Sequence, residues 1–419
     1  MSVKLRFLGG AREVGRNSIH VKGSRASLLL DHGVALNHEP GFPMHIRPRD
    51  IDAVILAHAH LDHSGAVPSL YVSRYIPTFA TSVTFELVRI LVEDFLKLSS
   101  YYLPYEYIDL KAMLDHAVEL PYGSEYHFRE ASLKLLDAGH IPGSAQILLD
   151  MDGKRVLYTG DFNTVPTKLL DPADQEYGEL DAIIVESTYA DEDHPDRMKI
   201  EEEFVEEIRN VVEGGGQVLI PAFAVGRAQE ILCVLEAHRV DWPIAVDGMA
   251  RSVNEALLDH PSFLNKKLLS SALRHARVVR GRNSRRKTLK KARIIISPSG
   301  MLKGGAASYY LKHIAMDQRN AILLVSYQIP GSPGRILLET GKVLIEDVET
   351  RVKARVRKFD FSSHCGRTDL QNVLRGLKGN PSVFVIHGDE GNCESLSAWA
   401  REELDLNATA PKTGETYEV

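Results

Sequence analysis

The most informative segment for the fold and the function of this chain is Ala57-His58-Ala59-His60-Leu61-Asp62-His63-Ser64-Gly65. It directly follows the apolar run 52–57, which has the length and composition of a strand. In extended chain His58 and His60 point to the same side, and Asp62 then falls in the first turn of a helix that the following residues can begin. Four nitrogen and oxygen ligands within six residues suit two divalent ions better than one.

Further ligand-type residues follow apolar runs of strand length elsewhere in the chain. These residues are Asp31, His140, Asp161, Glu186 and His387. If the strands share one or two packed sheets, their carboxyl ends gather at one edge, where ligands collect in α/β proteins. Any one of these residues alone is typical of a turn. Together with the histidine segment they indicate a metal centre.

Length and composition narrow the class of protein. The 419 residues predict two or three domains, and 44% hydrophobic with 25% charged side chains is typical of a soluble globular chain. The net charge of −6 gives no overall sign of polyanion binding. No apolar run reaches the length of a membrane span, and the N-terminus lacks the pattern of a secretory signal. Three widely spaced cysteines exclude a cysteine-rich zinc finger and favour a reducing cytosol, so we expect a cytoplasmic location.

The order of strand-like and helix-like segments predicts an inserted domain. Residues 1–196 show strands that end in ligand-type residues, and residues 348–419 return to that pattern. Residues 197–347 alternate apolar strands with helical patterns, which is typical of a parallel sheet flanked by helices. We expect helices at about 84–98, 199–213, 227–237, from about 250, and 306–313.

Two basic segments stand out in this acidic chain. Residues 274–293 contain ten Lys or Arg and no acid. A solvated helical face explains such a run, and a surface that attracts phosphates is the alternative. The strip Arg351, Lys353, Arg355 and Arg357 alternates with smaller apolar residues and predicts a strand with one basic face.

The metal-ligand pattern resembles that of the metallo-β-lactamase superfamily. The residues that carry the resemblance are His58-x-His60-x-Asp62-His63, then Gly139-His140, then Thr159-Gly160-Asp161. The later residues Glu186, His364 and His387 resemble, in order, the three extra motifs of the β-CASP nuclease branch. The resemblance covers nearly the entire chain. It implies an α/β fold, an αββα four-layer metallo-β-lactamase sandwich with an inserted α/β β-CASP domain.

Several segments narrow the resemblance to RNA nucleases. Pro221–Glu230, Ser297–Leu302, Tyr327-Gln328 and Gly334-Arg335 resemble the cleavage-and-polyadenylation-specificity-factor group, in particular archaeal members without KH domains, which are related to RNase J. One departure is Cys365, which follows His364 where Ala is commoner, and we expect it to affect packing only. The histidine at the third extra motif resembles RNA-acting rather than DNA-acting members.

The resemblance implies a zinc-dependent ribonuclease that hydrolyses phosphodiester bonds of single-stranded RNA in RNA processing, 3′-end maturation or decay. Endonuclease and 5′-to-3′ exonuclease modes both stay open. Two zinc ions would activate a hydroxide, one held by His58, His60 and His140 and the other by Asp62, His63 and His387, with Asp161 bridging. Asp31 would support a ligand histidine from behind. His364 would protonate the leaving 3′ oxygen, Glu186 would orient it, and Asp62 would share in the catalytic set.

We expect the inserted domain to supply RNA contacts. Glycine-rich loops let a phosphate approach the backbone closely, and arginines add charged contacts. The expected residues are Arg227, Ser299, Gly300, Gly304, Gly305 and Arg335. Ordinary turns and surface ion pairs are the alternatives for these residues. Relatives of this kind self-associate, so a homodimer and association with other RNA-processing factors are expected, and a membrane partner is not.

Three other functions compete with this interpretation. A small-molecule hydrolase such as a thioesterase shares the His58–His63 signature but does not explain the insert or His364. A diiron redox protein is disfavoured because His60 stands where those proteins usually have a carboxylate. A non-catalytic RNA-binding subunit would have lost ligands, whereas all seven are present here.

Overall fold

The computed structural model of the chain describes residues 2–36, 40–99, 102–329 and 331–419, apart from the side chain of Arg282. The chain divides into two compact units. Unit 1 comprises Met1–Pro166, Asp171–Asp193 and Ser363–Val419, and unit 2 comprises Thr167–Leu170 and His194–Ser362. The domain bounds given above stay a prediction.

The described ranges contain both strands and helices. The strands are β1 (Lys4–Gly9), β2 (Ser18–Lys22), β3 (Ser27–Leu30), β4 (Ala53–Ile55), β5 (Thr78–Ala80), β6 (Ala117–Glu119), β7 (Glu125–Phe128), β8 (Ala131–Asp137), β9 (Ala145–Met151), β10 (Lys154–Tyr158), β11 (Ala182–Glu186), β12 (Val218–Pro221), β13 (Ile244–Val246), β14 (Ala276–Val278), β15 (Ile294–Ser297), β16 (Ala321–Leu324), β17 (Lys342–Ile345), β18 (Val348–Arg351), β19 (Arg355–Lys358), β20 (Ser382–Ile386), β21 (Ala408–Thr409) and β22 (Thr416–Glu418). The helices are α1 (Leu61–Ser64), α2 (Ser82–Ser99), α3 (Tyr107–Asp115), α4 (Arg197–Glu213), α5 (Arg227–Ala237), α6 (Ala250–Leu258), α7 (Lys266–His275), α8 (Arg282–Lys291), α9 (Gly305–Ile314), α10 (Pro333–Thr340), α11 (Arg367–Arg375) and α12 (Glu390–Leu404).

Unit 1 is built on two mixed sheets. The first sheet has the order β22-β1-β2-β3-β4-β5-β6, and the second has the order β21-β20-β11-β10-β9-β8-β7. Alternation explains their packing: in β1, Leu5 and Phe7 are buried whereas Lys4 and Arg6 are exposed. The buried faces of both sheets form one core, in which Leu5 and Phe7 pack with residues such as Leu133 of the second sheet. Full burial of each such side chain contributes about 1.5–3 kcal/mol to folding.

Helices cover the sheets of unit 1. α11 and α12 pack on the outer face of the second sheet through an apolar set that includes Leu370 and Leu396. α2 and α3 pack on each other, and Phe95 of α2 packs with Val34, which lies shortly after β3. The arrangement of helices and sheets confirms the predicted metallo-β-lactamase sandwich.

Unit 2 contains a parallel sheet with the order β14-β13-β15-β12-β16-β19. One face packs on α9 through Tyr310 and neighbouring apolar residues. Asp196 caps the start of α4 and its side chain accepts from the Lys199 amide, and the helix ends before Gly214. The prediction of a parallel sheet flanked by helices is confirmed, and α5 has the bounds that the sequence predicts.

The second basic strip is not one strand. β18 ends at Arg351 and pairs antiparallel with β17, whereas β19 begins at Arg355 and pairs parallel with β16. The prediction of one continuous strand was therefore wrong, because the two halves belong to different sheets. Arg355 and Arg357 form ion pairs with Glu207 of α4, at 3.4 and 3.0 Å.

None of the helices in the described ranges is both long and apolar enough to cross a membrane. Cys233, Cys365 and Cys393 are buried and form no disulfide. Burial raises the pKa of the Cys365 thiol well above its ordinary value.

Candidate metal centre

Parallel pairing of β3 with β4 places the histidine segment beside Asp31. Asp31 follows β3 directly and adopts a positive φ of 55°. Its Oδ1 accepts a hydrogen bond from the Ala57 amide at 2.7 Å, which fixes the chain just before His58. α1 then begins at Leu61 with His60 as its cap, so Asp62 and His63 lie in one short helical turn.

The first ligand group consists of His58, His60, His140 and Asp161, whose ligand atoms all lie within 4.8 Å of one another. His60 Nδ1 is 3.2 Å from His58 Nε2 and 3.2 Å from His140 Nε2. His140 Nδ1–H donates to the Ser363 carbonyl at 2.8 Å, so its Nε2 presents a lone pair to the group. Burial lowers the pKa of His58 and of His140 well below the ordinary value, which favours the neutral form that binds metals.

The second ligand group consists of Asp62, His63, Asp161 and His387, again within 4.8 Å. His63 Nδ1 lies 2.6 Å from Asp31 Oδ2, which also accepts from the Tyr158 hydroxyl at 2.7 Å. His63 Nε2 faces Asp161 Oδ1 at 3.2 Å. Asp161 is thus common to both groups, and the structure brings together all seven residues that the sequence singles out as ligands.

The donor set fits divalent cations. With the His63 proton on Nδ1, a ring lone pair and a carboxylate oxygen face each other at 3.2 Å, and they repel unless a proton or a cation lies between them. Burial opposes a second proton on His63, but the carboxylates of Asp161 and Asp31 raise its pKa well above the ordinary value. A cation would take the place of that proton. Imidazole nitrogens and carboxylate oxygens in this proportion are the ligands that zinc accepts.

Glu186 and His364 form a pair at the edge of the first group. His364 Nδ1 lies 2.9 and 3.0 Å from the two Glu186 oxygens, and its ring centroid is 4.5 Å from that of His140. Glu186 is the last residue of β11 and is buried, and it also accepts from the Phe162 amide at 3.0 Å. Burial opposes the charged form of His364, but the Glu186 carboxylate outweighs it and raises the pKa to about 9. The His364 side chain is 18% exposed, so a substrate can reach it.

Asn17 is a site residue that sequence reasoning missed. It is fully buried, and its Nδ2 lies 3.0 Å from His63 Nε2 and in close contact with His387 Nδ1. Its backbone donates to the Asp62 carbonyl at 2.8 Å and accepts from the Gly33 amide at 2.9 Å. Asn17 therefore joins segments that are distant in sequence, and no local spacing signals it.

The expected RNA-contact residues lie in unit 2, in turns and at helix starts. Gly304 and Gly305 have φ of +80° and +69° at the start of α9, as a turn there requires. A side chain on Gly300 would meet Ser326 Oγ at 2.7 Å, so close packing explains this glycine. Arg335 Nε pairs with Glu339 at 2.5 Å. Ser299 accepts from the Lys303 amide, and Arg227 begins α5, so a role of these six residues in RNA binding stays a prediction.

Arg285, in the basic run 274–293, forms an ion pair with a buried carboxylate. Arg285 Nε donates to Asp247 at 2.7 Å, and the Tyr310 hydroxyl donates to the same carboxylate at 2.7 Å. Asp247 is buried, so Arg285 neutralises a charge that would otherwise be costly. Other basic residues of α8 such as Arg286 and Lys290 are exposed, as a solvated helical face requires.

Sequence comparison finds three protein-family matches along the chain. A beta-lactamase superfamily domain matches residues 28–214, a Beta-Casp domain matches 228–337, and a Zn-dependent metallo-hydrolase RNA specificity domain matches 349–411.

Relatives and a solved structure extend these matches. A protein named RNase aCSPSF2 from Saccharolobus solfataricus is 37% identical over 420 residues, 99% of this chain and 85% of that protein. A protein named Probable RNase MJ4 from Methanocaldococcus jannaschii is 38% identical over 427 residues, 99% of each chain. The transcription termination factor FttA of the same organism is 33% identical, over 98% of this chain and 70% of its own length. A crystal structure of a protein of unknown function from Enterococcus faecalis V583 matches the fold with a TM-score of 0.66 at 15% identity, over 100% of both chains.

Proposed function

The chain belongs to the metallo-β-lactamase superfamily, in the branch that carries a β-CASP domain, and from that membership we propose a zinc-dependent ribonuclease acting on single-stranded RNA. The RNA specificity domain and the relatives named as ribonucleases support the substrate class. Internal cleavage and 5′-to-3′ digestion both fit this proposal.

The proposal assigns two zinc ions to the two ligand groups. His58, His60 and His140 would hold one, and Asp62, His63 and His387 would hold the other, with Asp161 between them. Asp31 holds the His63 ring by its Nδ1, so that the Nε2 lone pair faces Asp161, where a cation would bind. When bound, a pair of such cations activates a water and neutralises charge on the phosphate oxygens.

His364 and Glu186 would then supply the proton that the leaving 3′ oxygen needs. His364 keeps its Nδ1–H on Glu186, so its Nε2–H is the proton available to a substrate. The 3′ oxygen takes this proton as the bond between it and phosphorus breaks, which avoids an alkoxide leaving group. The raised pKa of about 9 keeps His364 protonated at neutral pH, the state a general acid needs. Asp62, 26% exposed, stands at the solvent side of the second group and would help to orient the attacking water.

One observation carries the proposal: Asp161 is shared by both ligand groups and also by the Glu186–His364 group. Hydrolysis of a phosphodiester requires a proton donor beside the cations, and the contact of the Glu186–His364 pair with the shared Asp161 supports that arrangement. A small-molecule hydrolase would need the metal ligands, but its reaction does not explain the His364–Glu186 pair.

The test is to incubate the purified, zinc-loaded chain with single-stranded RNA labelled at either end and to resolve the products by length. We expect cleavage that stops when a chelator removes the metal and returns with zinc. Internal fragments would indicate an endonuclease, and mononucleotides released from the 5′ end an exonuclease. Intact RNA together with hydrolysis of a thioester or a β-lactam would contradict the proposal. A homodimer, association with other RNA-processing factors and a cytoplasmic location stay predictions.

A further inference from the structure

The end of the first sheet that lies away from the metal centre carries a basic cavity of about 470 Å³. Cross-strand register places Arg6 opposite His20 and Lys22 opposite Ser27, and all four residues line the cavity. The metal centre lies at the opposite ends of the same strands, since Asp31 follows β3 whereas Ser27 begins it. At about 3.3 Å per strand residue, a separation of four to five residues corresponds to roughly 13–17 Å.

The lining has more cations than its acids neutralise. The exposed side chains of Arg6, Lys22, Arg25 and Arg49 line the cavity. Within the described part of the chain, none of these four forms an ion pair or a side-chain hydrogen bond. The nearby acids already have partners: Asp50 pairs with Arg47 at 2.6 Å, Asp52 pairs with Arg129 at 2.8 Å, and Asp152 accepts from the backbone and side chain of Ser24.

Hydrogen bonds join His20 and Ser27, two half-buried residues of the lining, to the backbone of Asp50. The Ser27 hydroxyl donates to the Asp50 carbonyl at 2.6 Å, so His20 Nε2–H donates to Ser27 at 2.7 Å. Burial, together with the charges of Lys22 and Arg6, lowers the pKa of His20 to about 4. The imidazole is therefore neutral at physiological pH, and it lies in the positive potential of the surrounding cations.

We propose that this cavity is a second, non-catalytic contact for the substrate RNA, where Arg6, Lys22, Arg25 and Arg49 hold backbone phosphates of the strand outside the cleavage centre. The inference rests on the proposed function. Clustered cations without partners in a chain of net charge −6 select a polyanion rather than a neutral ligand. A strand already bound at the metal centre presents its next phosphates at high effective concentration, so even weak contacts here increase affinity.

The test compares a charge-reversal double variant with a matched control. Arg6→Glu with Lys22→Glu changes the cavity, and Lys111→Glu with Lys378→Glu makes the same charge change at exposed sites of unit 1 outside the lining. Binding of a labelled 30-nucleotide RNA is measured by fluorescence anisotropy, with all proteins carrying His364→Ala to prevent cutting. We expect the cavity variant to bind the RNA roughly tenfold or more weakly than the control. Its slope of log affinity against log salt should fall by about 1.4, which corresponds to two lost phosphate contacts on a single strand.

A short substrate separates this contact from the cleavage centre. With His364 intact, the cavity variant should keep the kcat/KM of the parent protein for a six-nucleotide RNA and lose it for the long one. Arg6→Gln with Lys22→Gln, a milder change, should give a smaller loss in the same direction, and thermal unfolding verifies the fold.

Several results would overturn the inference. One is a 30-nucleotide affinity equal to that of the control, and another is an equal loss on the short and long RNAs. Binding of inorganic phosphate or an acidic peptide at the cavity with unchanged RNA affinity would assign it to another ligand. If the parent protein binds long RNA through the cavity but cuts no RNA, the proposed function fails and the contact stands.

Discussion

The two ends of the first sheet of unit 1 differ in the burial of their side chains and in how those side chains are held. At the carboxyl ends of β3 and β4, Asp31 and His63 are buried and each side chain is held by hydrogen bonds. At the other end, Arg6 and Lys22 are exposed, and neither side chain has a partner among the described residues. The first arrangement holds the candidate ligands by hydrogen bonds, and the second leaves long side chains able to adapt to a flexible RNA strand. Substitutions at the metal end should therefore abolish function, whereas those at the basic end should weaken it gradually and in a salt-dependent way.

The largest effect is expected from Asp161→Asn. The amide cannot supply the negative charge shared by the two ligand groups, so the chain should hold fewer than two zinc ions and RNA cleavage should fall to background. Metal content and cleavage are measured together. Asp150→Asn, which alters a surface carboxylate paired with Arg155, is the control and should change neither. A fully metallated, active Asp161→Asn protein would contradict the expectation that substitutions at the metal end abolish function.

His364→Ala should separate metal binding from proton transfer. The residue is not among the seven proposed ligands, so both metals should stay, while kcat should fall by about 10²- to 10⁴-fold with the loss of the proposed general acid. His238→Ala is the control, because His238 also pairs with a buried carboxylate, Glu201, at 3.0 Å but belongs to unit 2. Normal turnover by metallated His364→Ala would remove this residue from the mechanism.

Asn17→Ala tests how far the rigidity of the metal end depends on residues behind the ligands. Loss of the buried amide beside His63 and His387 should weaken binding of one zinc ion by about 10- to 100-fold. Competition with a chelating dye measures this affinity, and Asn407→Ala, at an exposed asparagine, provides the comparison. Equal zinc affinity in both variants would show that Asn17 only fills space.

Glu186→Gln should change kcat/KM least of these variants at neutral pH, and should lower it clearly at alkaline pH. The carboxylate raises the pKa of His364 to about 9, and a general acid works only below its pKa. In the parent protein kcat/KM should therefore decline above about pH 9. Without the carboxylate, the pKa of His364 falls and the decline should begin at lower pH. An unchanged alkaline limb would assign that limb to another group.

Much of the fold and of the site could be predicted because their signals are local. The candidate ligands follow apolar runs, and parallel pairing of β3 with β4 and of β10, β11 and β20 brings most of these strand ends together. α5 was predicted with its observed bounds because its apolar periodicity lies in one short segment.

What the sequence could not supply depends on contacts between distant segments. Asn17 looks like the end of a glycine-rich turn, and only the packed structure brings it to His63 and His387. The basic cavity is lined by Arg6, Lys22 and Arg49, which come from separate segments, so no continuous run of basic residues indicates it in the sequence. Conversely, the basic run 274–293 is evident in the sequence, but its Arg285 forms an ion pair with the buried Asp247.

We propose that seven side chains of unit 1 hold a pair of catalytic cations. The most direct measurement is to strip the full chain with a chelator, add zinc stepwise, and follow bound metal and RNA cleavage together. We predict that cleavage rises to its maximum at two zinc ions per chain. Cleavage that persists in the stripped protein, or that reaches its maximum with one ion, would contradict the claim.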